Sequence, residues 1–441
     1  MGFPAGCLLA AALVQARLEN GLEVSILRDP EAPVVATQVW IHAGAADERE
    51  GERGLAHLFE HLMFGGTAAH PREDYAALHH RHGGYQNAMT TPDETVYVST
   101  IAPGAFDAVL EMEADRFRSL DVTPANLENE KRIVLEELRM RTENDPLARA
   151  FVAAQRQLLG GHPYAYDASG NKDEVAAATV ERAREFRDRH YRADRAHLVI
   201  VGPVDPEATL AEVKARFGTI PAGAVPVPEV PALDGWTFPA KVAVKEDIPP
   251  VEVAIAGFVL PPAGSPDGPA IDVMLQLLDG GAVDRFRETL VVDGKRALEG
   301  GTESLRLRRG GAVVFYGANL PYRREKTAFR DLDRARATLA SLDWLTDASV
   351  DAAKRSLRRD RLRRSYFVDE RADAIGRARW WLGDAALALD EDARLAAVTR
   401  EDVAAAFRRY VGGKEPIRLY ARPERVPLWV RLFGWLYPVV R

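Results

Sequence analysis

A single cysteine, Cys7, occurs in a chain of 441 residues. No intramolecular disulfide can form, and no thiolate-built zinc site is available. The scarcity does not fix the compartment, because many proteins outside the cytosol lack disulfides. A basic excess is also missing: 58 Lys and Arg stand against 65 Asp and Glu, a net charge of −7. Nucleic-acid binders carry the opposite balance, so no nucleic-acid partner is expected. No stretch is both long enough and free enough of charge to span a bilayer. The tail VPLWVRLFGWLYPVV is short for a span and holds Arg431, and it reads as packing on protein. Histidine is missing from the second half, since all ten lie at or before His197. A histidine-built site therefore belongs to the first half. The second half is left as substrate wall, partner surface or scaffold.

What is present is ordinary globular material, 47% hydrophobic and 28% charged, in a chain that suits two or three domains. The start, MGFPAGCLLAAALVQA, ends its apolar run in small residues like the tail of a secretory signal, yet lacks a positive leading region. A plain first strand fits it equally well.

LEVSILRD and VVATQVWIHAG read as strands around the turn-forming DPEAP. REDYAALHHRHGG reads as a helix stopped by Gly83 and Gly84, and YQNAMTTPDETVYVSTIA as a strand pair around Pro92. GAFDAVLEMEADRFRSL, TPANLENEKRIVLEELRMRTEN and VERAREFRDRHY carry apolar residues at helical spacing, and RAHLVIVGPVD returns a buried-type strand. PAGAVPVPEVPALDGW, residues 221–236, is rich in Pro, Ala and Val and reads as an extended linker. The pattern then restarts. KVAVKEDIPPVEVAIAGFVLPPAG echoes the first strand pair, and TREDVAAAFRRY with IRLYARP echoes TVERAREFRDRHY with HLVIVGP. The expectation is an α+β chain of two homologous domains, 1–220 and 237–441, each a mixed, mainly antiparallel sheet with a layer of helices.

The chemistry concentrates in GLAHLFEHLMFGGT, residues 54–67. His57 and His61 are four apart, so a helix turns both imidazoles to one side. Glu60 lies close to the same face. The order H-x-x-E-H reverses the H-E-x-x-H of zinc peptidases, where two histidines bind metal and the glutamate acts as general base. A catalytic zinc needs a third protein ligand and an open position. NEKRIVLEELRMR offers Glu130, Glu136 and Glu137; Glu130 and Glu137 are two turns apart and share a face, whereas Glu136 is rotated by about 100°.

These segments, with VVATQVWIHAGAADE, GGYQNAMTTPDETVYV and RSYFVDERADAIGRARWWLGD, closely resemble the pitrilysin-type zinc peptidases, the inverzincins that include insulysin and the mitochondrial processing peptidases. The resemblance runs from about Val14 into the 420s. It implies a half-size member with one zinc per chain and peptide-bond hydrolysis as its reaction. It implies His57, His61 and Glu137 as ligands, Glu60 as catalytic base and Glu130 as a carboxylate orienting a ligand histidine. It further implies that the Gly84 to Thr90 stretch, centred on Asn87 and Ala88, takes substrate as an added strand.

One part of the family pattern is broken. The second domain usually carries an Arg followed seven residues later by a Tyr, which bind substrate and the oxyanion. In LVVDGKRALEGGTES Val291 falls near the Arg position and Gly300 near the Tyr position. Arg309 and Tyr316 have the right spacing but belong to a later strand, where Tyr316 reads as packing. A homologous partner subunit carrying the pair is therefore expected, with a non-catalytic scaffold as the alternative. Family habit and the N-terminus favour the periplasm, with the cytoplasm as the alternative. LHHRHGG, with His79, His80 and His82, reads as a solvated helix end, and RSLRRDRLRRSY as a solvated helix face.

Overall fold

The strands that read as unbroken apolar runs are sheet elements covered on both sides. The computed structural model describes residues 13–120, 122–223, 226–293, 296–319, 324–426 and 428. The segment with Cys7 and nearly all of the apolar tail lie outside them. Two compact units form: one from residues up to 139, 166–230 and 361–391, the other from 140–165, 231–360 and the residues from 392 on. These units follow the sequence repeat except that 140–165 and 361–391 are exchanged between the halves.

Among the described residues, the first unit holds a six-stranded sheet. Its strands are β1 (Leu13–Arg17), β2 (Glu23–Arg28), β3 (Val35–Ile41), β4 (Tyr85–Thr90), β5 (Thr95–Ile101) and β6 (Ala196–Gly202), in the order β1-β2-β6-β3-β5-β4. Only β2 and β6 run parallel. The second unit holds β7 (Lys241–Glu246), β8 (Glu252–Leu260), β9 (Glu299–Leu307), β10 (Gly310–Asn319) and β11 (Ile417–Pro423), in the order β7-β11-β8-β10-β9. That order repeats the first sheet without β1, and again a single pair, β7 with β11, is parallel. The fold is the expected α+β pair of mixed, mainly antiparallel sheets with packed helices.

Helices of eight or more residues are α1 (Leu55–Leu62), α2 (Arg72–Arg81), α3 (Phe106–Ser119), α4 (Pro124–Leu138), α5 (Pro146–Leu159), α6 (Val180–His190), α7 (Pro206–Phe217), α8 (Gly268–Asp279), α9 (Glu325–Ala337), α10 (Asp347–Ser365), α11 (Val368–Arg377) and α12 (Arg400–Tyr410). On one face of the first sheet, Ile26, Val39, Leu198 and Ile200 pack against Leu58 and Phe59 of α1, Val134 of α4 and Phe186 of α6. On the other face, Leu27, Trp40, Val199 and Val201 pack against Val368, Ala372 and Ile375 of α11. Period-two side chains thus meet apolar cover on both sides, which explains the unbroken hydrophobic runs. Approach of α11 is close: a Cβ added at Gly376 would stand 2.2 Å from Trp40. In the second unit, α8, α9 and α12 cover one sheet face, and Ala150 and Ala154 of α5 meet Val242, Val244 and Leu419 on the other.

The helix predicted before Gly83 is α2, and the strand pair around Pro92 is β4 with β5. His79 corrects the reading of a solvated helix end. It is buried in the core, with Nδ1 2.8 Å from the Tyr75 carbonyl and Nε2 2.6 Å from Ser99 Oγ, whereas His80 and His82 are exposed.

Candidate metal centre

Helix α1 is short, two turns, and its apolar side fixes it. Leu58, Phe59 and Leu62 are buried in the first core and Phe64 packs beside them. The remaining side carries His57, Glu60 and His61. Helix α4 begins at Thr123, whose hydroxyl accepts the Asn126 amide at 3.2 Å, with Pro124 in the first turn. That start sets the rotation of α4, which packs on α1 through Leu127 and Val134.

The two helices bring together three of the residues singled out in the sequence. His57 Nε2 lies 3.7 Å from Glu137 Oε2, and His61 Nε2 lies 3.7 Å from Glu137 Oε1. One ligand atom from each of His57, His61 and Glu137 falls within 4.8 Å of the others. Ligands at zinc distances of about 2.0–2.2 Å in a tetrahedron stand roughly 3.3–3.6 Å apart, so the donor set and its spacing fit that ion. The set supplies two imidazoles and one carboxylate and leaves a fourth position open.

Glu136 points away, exposed and paired with Arg139 at 2.7 Å, as its rotation on the helix predicts. Glu130 is buried, with Oε2 3.6 Å from His61 Nδ1. Its other oxygen accepts from Asn129 at 2.9 Å and from Arg72. Burial alone would raise the Glu130 carboxyl, but the nearby His61 ring and hydrogen bonds from Arg72 and Asn129 outweigh it and hold it down to about 2. A carboxylate at Glu130 beside Nδ1 favours the tautomer that leaves Nε2 free for a metal.

Glu60 sits between the two histidines in sequence and meets β4 in space. Thr90 Oγ1 donates to Glu60 Oε2 at 2.6 Å. Strand β4 is an edge, paired on one side with β5. Asn87 is exposed and Ala88 half-buried on it. Among the described residues no helix is long and apolar enough to cross a membrane.

Three contributors went unseen in the sequence: Arg72 on Glu130, Thr90 on Glu60, and Glu48 beneath the start of α1. Thr90 lies within the quoted NAMTTPDE, but its partner is 30 residues away. No local spacing rule pairs such residues.

In the second unit Val291 is packed against the core and Gly300 lies in β9. A Cβ at Gly300 would stand 2.7 Å from Leu290 Cδ2 and 3.1 Å from the Tyr316 carbonyl oxygen. Tyr316 lies opposite Gly301 across the β9–β10 ladder, and a Cβ at Gly301 would meet its hydroxyl at 3.1 Å.

Known proteins resemble both halves of the chain. The family described as "Insulinase (Peptidase family M16)" matches residues 23–159, and "Peptidase M16 inactive domain" matches residues 177–320. The zinc protease PqqE of Helicobacter pylori is 26% identical over 311 residues, 69% of this chain and 69% of that protein. An uncharacterised zinc protease of Mycobacterium bovis is 30% identical over 364 residues, 79% of this chain and 80% of that protein. The crystal structure of a protease from Helicobacter pylori superposes with a TM-score of 0.81 at 21% identity, over 94% of this chain and 99% of that one. The first half of the periplasmic protease PqqL from Escherichia coli gives 0.71 at 18% identity, over 98% of this chain and 97% of that one.

Proposed function

Because the chain belongs to the insulinase family, peptidase family M16, we propose that it is a zinc-dependent endopeptidase hydrolysing peptides or unfolded polypeptide segments. The observation that carries this reading is the convergence of His57, His61 and Glu137 beside Glu60. These three groups would hold one zinc per chain, which when bound would supply an acidified water and a Lewis acid for the scissile carbonyl. Glu60 takes a proton from the attacking water and returns it to the leaving amine. Thr90 holds one Glu60 oxygen and leaves the other for that transfer. Glu130 orients His61. The open edge of β4, around Asn87 and Ala88, receives the substrate as an added strand. Its affinity then comes from main-chain hydrogen bonds, with loose sequence preference.

Val291 and Gly300 supply no oxyanion donors, and removing such donors costs about 10²–10³ in rate. A homologous partner subunit with the Arg/Tyr pair completes the site. The same two residues favour a second reading, a non-catalytic assembly subunit of the family. The periplasm is the proposed compartment, supported by the periplasmic protease of Escherichia coli that shares the fold and by the apolar N-terminal segment. Metal analysis and a peptidase assay, with and without a homologue carrying the pair, test the proposal. About one zinc per chain and hydrolysis that rises on adding the partner are expected. A chain that binds no zinc and stays inactive with every such homologue is the assembly subunit instead. Full activity alone, indifferent to the partner, removes the heterodimer.

A further inference from the structure

Helix α1 begins without the usual device. Its N-cap, Gly54, has no side chain to accept the first-turn amides and sits at φ +104°. A Cβ there would stand 2.5 Å from Val175, so a capping Ser, Asp or Asn does not fit. The exposed amides are nevertheless met. Leu55 N–H donates to the Glu52 carbonyl at 2.9 Å. Gly54 N–H donates to Glu48 Oε2 at 3.0 Å and Ala56 N–H to Glu48 Oε1 at 2.8 Å. Glu48 therefore reaches back from six and eight residues upstream and grips the helix end with both carboxylate oxygens.

The grip is itself built in. Glu48 is 4% exposed. Arg53 donates to its carbonyl at 2.6 Å and lies 3.7 Å from the centre of the Tyr166 ring. Arg53 N–H also donates to Glu174 at 2.9 Å, which fastens the same turn to a second segment of the first unit. Burial pushes the Glu48 carboxyl up and the two amides pull it down; because each oxygen faces an N–H donor, the geometry is that of the ionised form. A buried acid in that position is costly, and two amides with both oxygens occupied are satisfied in full only by the carboxylate.

The consequence lies one residue further on. His57 follows Ala56 directly, in the first turn, while His61 sits in the second. In a helix of eight residues a loosened first turn displaces one ligand histidine and leaves the other in place. We propose that Glu48 is a positioning residue for the metal centre, fixing the first turn of α1 and with it the imidazole of His57. This rests on the zinc reading of His57, His61 and Glu137.

The test is Glu48→Gln, which keeps the shape but offers a single carbonyl acceptor. Zinc affinity is read by competition with a chromophoric chelator, and amide hydrogen exchange is read on the metal-free protein. Affinity should fall about 10- to 100-fold, the range for losing a group that orients a ligand. Exchange should quicken at the start of α1 while the sheet of the first unit keeps its protection. Glu48→Asp, with the same charge and both acceptors on a shorter arm, should recover part of the affinity. Unchanged affinity and exchange in Glu48→Gln overturn the proposal. Protection lost evenly over the whole unit, or an Asp variant no better than Gln, also overturns it, because the role is then general stability. If the unaltered chain binds no zinc, the proposed function fails, and the metal-free exchange still decides whether Glu48 holds the helix.

Discussion

Thr90 and Glu60 share a 2.6 Å hydrogen bond, the hydroxyl donating to one carboxylate oxygen. Thr90 is the last residue of β4, so the edge strand and the proposed base are tied by one side chain. Thr90→Val keeps the shape and removes the donor. A hydrogen bond to a charged group contributes about 1.5–3 kcal/mol, so kcat should fall roughly 10- to 100-fold with little change in KM. Thr90→Ser should keep most of the rate. Steady-state kinetics on a fluorogenic peptide, in the presence of the partner, decides it; equal loss in both variants refutes the role.

The ligands and the base should separate cleanly. Glu137→Gln and His57→Ala are expected to release zinc on dialysis, because each removes one of three donors. Glu60→Gln should retain about one zinc per chain by elemental analysis while losing measurable hydrolysis. Metal loss in Glu60→Gln would assign Glu60 to the ligand set instead.

Restoring the missing tyrosine inside this chain should not work. The Cβ of any residue at Gly300 meets Leu290 and the Tyr316 backbone within 3.1 Å. Gly300→Tyr is expected to lower stability by about 1–3 kcal/mol, the usual range for overpacking, without raising activity. Urea unfolding and a partner-free assay read both quantities. A stable, more active variant would show that the strand accommodates the ring.

Two buried histidines give the first unit an acid-sensitive term. Burial, with Arg379 nearby, pushes the His197 ring down to about 3. Burial and the surrounding arginines, Arg195 first, push His190 down to about 2. Both rings stay neutral in the fold, whereas the unfolded chain protonates them near 6.5. Their contribution is complete above about pH 6.5 and is lost as pH falls, at about 1.4 kcal/mol per pH unit each. Glu94, pushed up to about 7 by burial and Asp93, works in the opposite sense as pH rises from 4.5. The difference between parent and variant isolates one group. His197→Gln should flatten the dependence of unfolding free energy on pH between about 4 and 6 by one proton. An unchanged slope would mean that His197 ionises in the fold.

Much of this architecture is legible in the amino-acid order. The restart of pattern after residues 221–236 predicts a repeated unit, and the second sheet repeats the strand order of the first without β1. HLFEH and the seven-residue spacing of Glu130 and Glu137 predict one polar face on each of two helices, and those faces meet. Periodicity states that a helix has an apolar side but not which sheet it covers. The exchange of α5 and α11 between the units is therefore invisible in it. His79 looks solvated because its neighbours are polar, and the fold instead buries it between the Tyr75 carbonyl and the Ser99 hydroxyl. Glu48 is hidden for a related reason: it sits in a charged loop, and the cap it supplies lies where a short-range rule looks for Ser, Thr, Asp or Asn and finds glycine.

The cover that α11 provides for the first sheet sets a timetable for synthesis. Gln38 donates to the Asp369 carbonyl at 2.9 Å across 331 positions. A ribosome that has released β6, the last strand of that sheet, has not yet made the segment that shields Trp40, Val199 and Val201. The nascent sheet waits with one oily side open while roughly the next 160 residues, about 8 to 32 seconds at ribosomal rates, are added. During that interval the open face is exposed to aggregation, and a messenger truncated before codon 361 would yield a product that keeps His57, His61 and Glu137 but never closes its back.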